Sequence, residues 1–165
     1  MPIKPLENIT AIIPFMPLLG HAEFDSYNHA DPTHRGWLTD RIDQHLYCDT
    51  RFFGATAEDG TPLGVIAAWV EPRPPGILED YPCAEIRQFA VAAGHRRQGI
   101  GTKLLQHLEA ELRQQQVYCV YLHTYPADYD VIACYGRNGY MPTGLVPDVY
   151  GPGLEGMLFL RKVLR

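Results

Sequence analysis

The spacing of apolar positions changes period several times along the chain. From Thr33 onward, Trp37, Leu38, Ile42, His45 and Leu46 recur at three- and four-residue steps. That spacing predicts an amphipathic helix, with Asp31 or Thr33 as its cap. Arg51 to Ala57 reads as a strand, Glu58-Asp59-Gly60 as a hairpin turn, and Leu63 to Val70 as a second strand. Glu71 to Pro82 is proline-rich and reads as a long loop. Cys83 to Val91 is a third strand, continuous rather than alternating, as expected for a strand buried on both faces. A turn rich in glycine and arginine, Gly94 to Gly101, leads into a helix from Gly99 to Gln116. Leu104, Leu105, Leu108 and Leu112 form its apolar stripe, and Glu109, Glu111 and Arg113 lie off it. Val117 to His123 is a strand and Asp128 to Arg137 a short helix that Gly139 ends. Tyr140 opens a strand, Pro147 to Glu155 is a loop, and Met157 to Val163 is a last strand. In the first 35 residues, Pro14, Pro17, Gly20 and the polar run from Asp25 to Arg35 argue against one long element. The order of elements predicts an α/β (α+β) chain, a mixed sheet with helices on its faces.

Composition narrows the function. At 165 residues and 46% apolar, the chain fits a single domain, 1–165, with a substantial core. With a net charge of −5, no nucleic-acid partner is expected, because a nucleic-acid backbone calls for a basic footprint. The longest apolar run, Ile12 to Leu19, contains two prolines and is far too short to span a bilayer. No basic start followed by an apolar signal core is present, so no membrane partner is expected and the expected compartment is the cytoplasm. Cys48, Cys83, Cys119 and Cys134 lack CxxC spacing and read as reduced, mostly buried thiols. The seven histidines show no HExxH-type spacing, so no metal site is expected.

The segment with the clearest chemistry runs from Phe89 to Thr102, out of a strand and into a helix. A helix N-terminus offers unpaired N–H groups and partial positive charge to an anion. Gly99 and Gly101 would let a phosphate approach the backbone, and Arg96 and Arg97 add charge. Two common phosphate motifs fail. Gly94 and Gly99 have P-loop spacing, but Ile100-Gly101 stand where Lys-Ser/Thr is required. Gly99-Ile100-Gly101 is followed by Thr102-Lys103-Leu104, which breaks the dinucleotide fingerprint. Spacing alone leaves two readings: a pyrophosphate site, or a glycine turn with two solvated arginines.

Arg96-Arg97-Gln98-Gly99-Ile100-Gly101 resembles the signature of the GNAT superfamily of acyl-CoA N-acyltransferases. That signature is Arg or Gln, two free positions, Gly, one free position, then Gly or Ala. Cys134-Tyr135-Gly136-Arg137-Asn138-Gly139-Tyr140 is similar to a second element of the family, and the likeness runs from about Leu63 to Tyr140. The resemblance implies a mostly antiparallel central sheet flanked by helices, with a splayed strand pair for CoA. It implies acetyl-CoA as cosubstrate, contacted by Phe89, Ala90 and Val91 and by Arg96, Arg97, Gln98, Gly99, Ile100, Gly101 and Thr102. An N–H near Val91 would polarise the thioester carbonyl.

Tyr135, by its position alone a packed helix aromatic, falls on the family's general acid, or on a hydrogen-bond donor to the departing thiolate. Asp128 stands where many members carry Asn, so the Asn contact to pantetheine is not carried over. Glu85 lies on the strand where the histone-acetyltransferase branch has its catalytic Glu. A carboxylate there in an apolar setting would serve as base, and its alternative is an ordinary salt-bridged Glu. His123 is a second candidate base. The implied activity is transfer of acetyl from acetyl-CoA to an amine by direct attack in a ternary complex, with a homodimer possible. The alternative is an acyl-CoA-binding module without chemistry. Glu71, Glu79, Asp80, Glu85, Asp148 and Glu155 are expected to border the acceptor side.

Overall fold

A computed structural model of the protein describes residues 1–23, 26–71, 81–149 and 151–164. The first elements form where the sequence is hardest to read. β1 (Ile3–Leu6) carries Pro5, which an edge strand tolerates because that strand needs fewer ladder donors. Asn8 caps α1 (Ile9–Ile12) by accepting the Ala11 N–H at 3.0 Å. A 3-10 turn, Ile13–Phe15, then runs into α2 (Met16–Glu23). Pro14 stands at the start of the turn, where a missing N–H costs nothing. Ile12, Phe15, Met16 and Leu19, spaced at helical steps, are all buried. α3 (Pro32–Tyr47) begins at Asp31, whose carboxylate accepts the Thr33 N–H at 2.7 Å, with Pro32 at the first helical position. Of its predicted stripe, Leu38, Ile42 and His45 are buried, whereas Trp37 is exposed.

Beyond α3 the sheet follows the predicted order with small shifts at the ends. The strands are β2 (Arg51–Thr56), β3 (Pro62–Val70), β4 (Cys83–Val91), β5 (Cys119–Thr124), β6 (Met141–Val146) and β7 (Met157–Val163). The helices are α4 (Ile100–Gln114) and α5 (Tyr129–Arg137). The strand order is β1-β2-β3-β4-β5-β7-β6. β1–β2, β2–β3, β5–β7 and β6–β7 pair antiparallel. Hydrogen bonds from Glu71 N to Cys83 O and from Ala92 N to Leu63 O set β3 and β4 antiparallel as well. β4–β5 is parallel, and its register joins Cys83 to Cys119, Ala84 to Val120 and Glu85 to Tyr121. The ladder ends there, although β4 runs on to Val91 and β5 to Thr124.

The chain divides into two compact units, each made of two segments. One is Met1–Val70 with Ile86–Glu111, and the other is Glu71–Glu85 with Leu112–Arg165. The first holds a core that includes Leu6, Ile12, Phe15, Leu19, Leu38, Ile42, Phe52 and Val65. The second buries Leu112, Val117, Val120, Leu122, Tyr135, Tyr140 and Leu160.

Two sequence expectations are corrected. β4 is not buried on both faces: Ala84, Ile86 and Gln88 are buried, and Cys83, Glu85, Arg87 and Phe89 are half-buried. The strand alternates, and its apolar Phe89 and Val91 on the second face masked the period. On α4, the sequence pattern sets Glu109 off the apolar stripe, but it is 3% exposed. It follows Leu105 by four positions, so it falls on the inner face.

Candidate active site

The turn at the end of β4 lies in the first unit. After a 3-10 turn at Ala93–His95, the backbone takes left-handed conformations at Arg97 (φ 64°) and Gly99 (φ 78°). Turns of this kind aim successive N–H groups into one concavity that suits an anion. The first helical bond of α4 runs from the Lys103 N–H to the Gly99 carbonyl at 3.0 Å, so the N–H groups of Ile100, Gly101 and Thr102 precede it. Arg96, Arg97, Gln98 and Gly99 are exposed, and Ile100 is buried and anchors the turn. Arg96 Nε donates to the Val91 carbonyl at 3.1 Å, which holds that guanidinium over the strand end. The donors and charge of this turn fit a pyrophosphate.

The two signature glycines do different work. A Cβ on Gly99 would meet nothing within 4 Å. A Cβ on Gly101 would lie 3.0 Å from Phe89 Cζ and 3.6 Å from Val91 Cγ2. Gly101 therefore lets α4 pack on β4. Gly99, by contrast, faces open space on the exposed turn.

Tyr135 belongs to the second unit, near the end of α5. There Gly139 has φ 85°, its N–H donates to the Gly136 carbonyl at 3.0 Å, and the Tyr140 N–H donates to the Tyr135 carbonyl at 3.1 Å. This is a Schellman cap, and its usual apolar contact is the edge-on packing of the Tyr135 and Tyr140 rings, 5.2 Å between centroids. The Tyr-x-x-x-Gly-Tyr pattern thus has a backbone cause: it ends the helix and fixes the Tyr135 ring. Tyr135 is 3% exposed, and burial pushes its phenol well above the usual tyrosine range, so it stays protonated.

Glu85 lies in the same unit as Tyr135. Its Oε1 is 3.4 Å from His123 Nδ1, on the neighbouring strand β5. The setting is polar rather than the apolar one expected from sequence, because the half-buried face of β4 and β5 also carries Tyr121. The Tyr121 hydroxyl donates to the Glu71 carboxylate. His123 also contacts the Phe159 ring of β7, with centroids 5.7 Å apart. Asp128 accepts the Thr124 hydroxyl at 2.8 Å, which ties the end of β5 to the start of α5.

A search of curated protein sequences returns no match. The model of the acetyltransferase (GNAT) family matches residues 16–140. The chain belongs to this family. Its match begins well before Leu63 and takes in α2 and α3. Solved structures agree in fold. A ribosomal-protein-S18-alanine N-acetyltransferase from Escherichia coli is 20% identical, with TM-score 0.70 over 99% of this chain and 93% of that one. A GNAT family acetyltransferase from Elizabethkingia anophelis with acetyl-CoA bound is 20% identical, with TM-score 0.70 over 99% and 97%. An aminoglycoside 6'-N-acetyltransferase complexed with coenzyme A is 18% identical, with TM-score 0.73 over 100% and 98%.

Within this GNAT fold, the expected acidic border separates by role. Glu71 and Glu85 face β5 side chains, whereas Asp148 builds a turn by accepting the Gly153 N–H at 3.0 Å. Glu79 and Asp80 lie outside the described residues. Sequence reading missed Tyr121 and Glu71 as partners and left His123 unpaired with Glu85. The signal lies in the register: Glu85 pairs with Tyr121, and His123 is the next residue on that face of β5. Of the cysteines only Cys119 is buried, and Cys48 is exposed, contrary to the expectation of mostly buried thiols. No helix among the described residues is long and apolar enough to cross a membrane.

Proposed function

We propose that this GNAT chain is an N-acetyltransferase that moves an acetyl group from acetyl-CoA to an amine of a small molecule or protein, by direct attack in a ternary complex. The observation that carries the reading is the exposed turn Arg96–Gly99 running into the N-terminus of α4 within a family-matched domain. Two of the structural relatives are named for their acceptors, an alanine of ribosomal protein S18 and an aminoglycoside, and two were solved with CoA or acetyl-CoA, which supports the same classes here.

Acetyl-CoA supplies an acyl group activated as a thioester. Arg96, Arg97, Gln98, Gly99, Ile100, Gly101 and Thr102 hold the pyrophosphate through N–H groups and charge, while Phe89, Ala90 and Val91 offer main chain to the pantetheine arm. An N–H near Val91 polarises the carbonyl. Glu85 takes the proton that the amine must lose, directly or through water, with His123 beside it. Tyr135 keeps its proton and offers it to the sulfur that departs. A phenol raised above its usual range is a much weaker acid than an alkyl thiol near 8.5, so its work is hydrogen bonding rather than complete transfer.

Calorimetric titration with CoA tests the anion site. Wild type should bind CoA, and Arg96→Ala with Arg97→Ala should weaken binding by roughly 10–100-fold, the range for losing one charge-assisted hydrogen bond. Unchanged affinity in the folded double variant would overturn the pyrophosphate assignment.

A further inference from the structure

Cys83 and Cys119 stand directly opposite each other on the parallel strands β4 and β5. Their sulfurs are 3.0 Å apart, although the residues are 36 positions apart in sequence. Neighbouring strands run about 4.8 Å apart, within the Cα separations that a disulfide spans, so closing the bond needs a side-chain shift of about 1 Å. Cys83 is half-buried and Cys119 is enclosed. Arg161 of β7 lies beside the Cys119 sulfur, and that contact raises the Arg161 guanidinium above its usual range. Burial and the Cys119 sulfur push the Cys83 thiol up to about 12, so Cys83 rests as the protonated thiol. All four cysteines are free thiols; of the other two, Cys48 is exposed and Cys134 half-buried.

We propose that Cys83 and Cys119 form a redox modification site, joined by a hydroperoxide as a reversible intrachain disulfide. Cys83, the more open of the two, meets the oxidant. Its sulfur takes one peroxide oxygen, the O–O bond breaks, and water leaves behind a sulfenic acid. The Cys119 sulfur then attacks the Cys83 sulfur, the S–O bond breaks, and the hydroxyl leaves with the Cys119 proton as a second water. Two electrons pass from the sulfurs to the peroxide and one S–S bond forms. The bond ties β4 to β5 two residues before Glu85, whatever the acceptor.

The test is peptide mapping by mass spectrometry of the folded full chain after exposure to hydrogen peroxide. The expected result is a cross-linked peptide pair containing Cys83 and Cys119 in monomeric protein, a fall in free thiols from four to two, and full reversal by dithiothreitol. Under the same exposure Cys83→Ser should leave Cys119 reduced. A second sample carrying Cys48→Ser and Cys134→Ser removes cross-links through those residues and should lose both remaining thiols together. Overturning results are disulfides only between copies through Cys48, over-oxidised Cys83 without a cross-link, or all four thiols surviving in a protein whose Cys48 still reacts with a thiol reagent.

Discussion

Changing Tyr135 to Phe removes one oxygen and leaves the ring. The ring completes the cap of α5 through its contact with Tyr140 at 5.2 Å, so the fold should persist. Loss of a buried hydroxyl should cost about 1–2 kcal/mol of stability. The effect on rate should be larger. A donor aimed at charge that develops only in the transition state is worth about 10²–10³-fold in kcat, roughly 3–4 kcal/mol. CoA affinity should change little, because the hydroxyl acts on the sulfur only as it departs. Burial also predicts a pH signature. An ordinary phenol near 10 would give an essential donor a descending limb near pH 10, whereas the raised value keeps Tyr135 protonated beyond it. The assay is steady-state thiol release from pH 7 to 10, with CoA affinity and thermal unfolding measured on the same samples. An unchanged kcat in a folded Tyr135→Phe protein would refute the chemical role and leave Tyr135 as a capping residue only.

Three further outcomes follow from the geometry. Burial, with Arg41 and Arg87 nearby, lowers His45 from 6.5 to about 4, so the folded chain holds it neutral while the unfolded chain protonates it below 6.5. Stability should be full above pH 6.5 and fall as pH drops toward 4. The loss between pH 7 and 5 should be about 2 kcal/mol in urea titrations and should largely vanish in His45→Gln. Gly101→Ala places a Cβ 3.0 Å from Phe89 Cζ, so thermal unfolding should show a net loss of up to about 2 kcal/mol, the overpacking cost less the helix gain. A gain would show that the Phe89 ring yields freely. Glu85→Gln should depress turnover most at low pH, where free amine is scarce, and a uniform loss across pH would assign Glu85 a positioning role instead.

Local spacing made the chain from α3 onward legible, because period and turn residues agree there. Asp31 caps α3, Gly139 ends α5, and the leucines of α4 are buried. The N-terminal helices were hidden by Pro14 and Pro17, which interrupt the apolar run. Their buried set, Ile12, Phe15, Met16 and Leu19, already carried the helical period. Gly99 and Gly101 look alike in sequence, and only the position of Phe89 separates their roles. The pairings of Glu85 with His123, Cys83 with Cys119 and Tyr121 with Glu71 all depend on chain segments far apart in sequence. The first two follow from a parallel register set by tertiary packing, which no local pattern encodes.

The most direct test of the function is to incubate the protein with acetyl-CoA and a panel of small-molecule and peptide amines, following free thiol and the mass of each acceptor. Acetyl transfer to an amine requires enzyme-dependent thiol release matched by acetylation at nitrogen, with turnover rising with pH to a plateau. Tight CoA binding with no acetylated amine, or acetylation of hydroxyl acceptors alone, would contradict it.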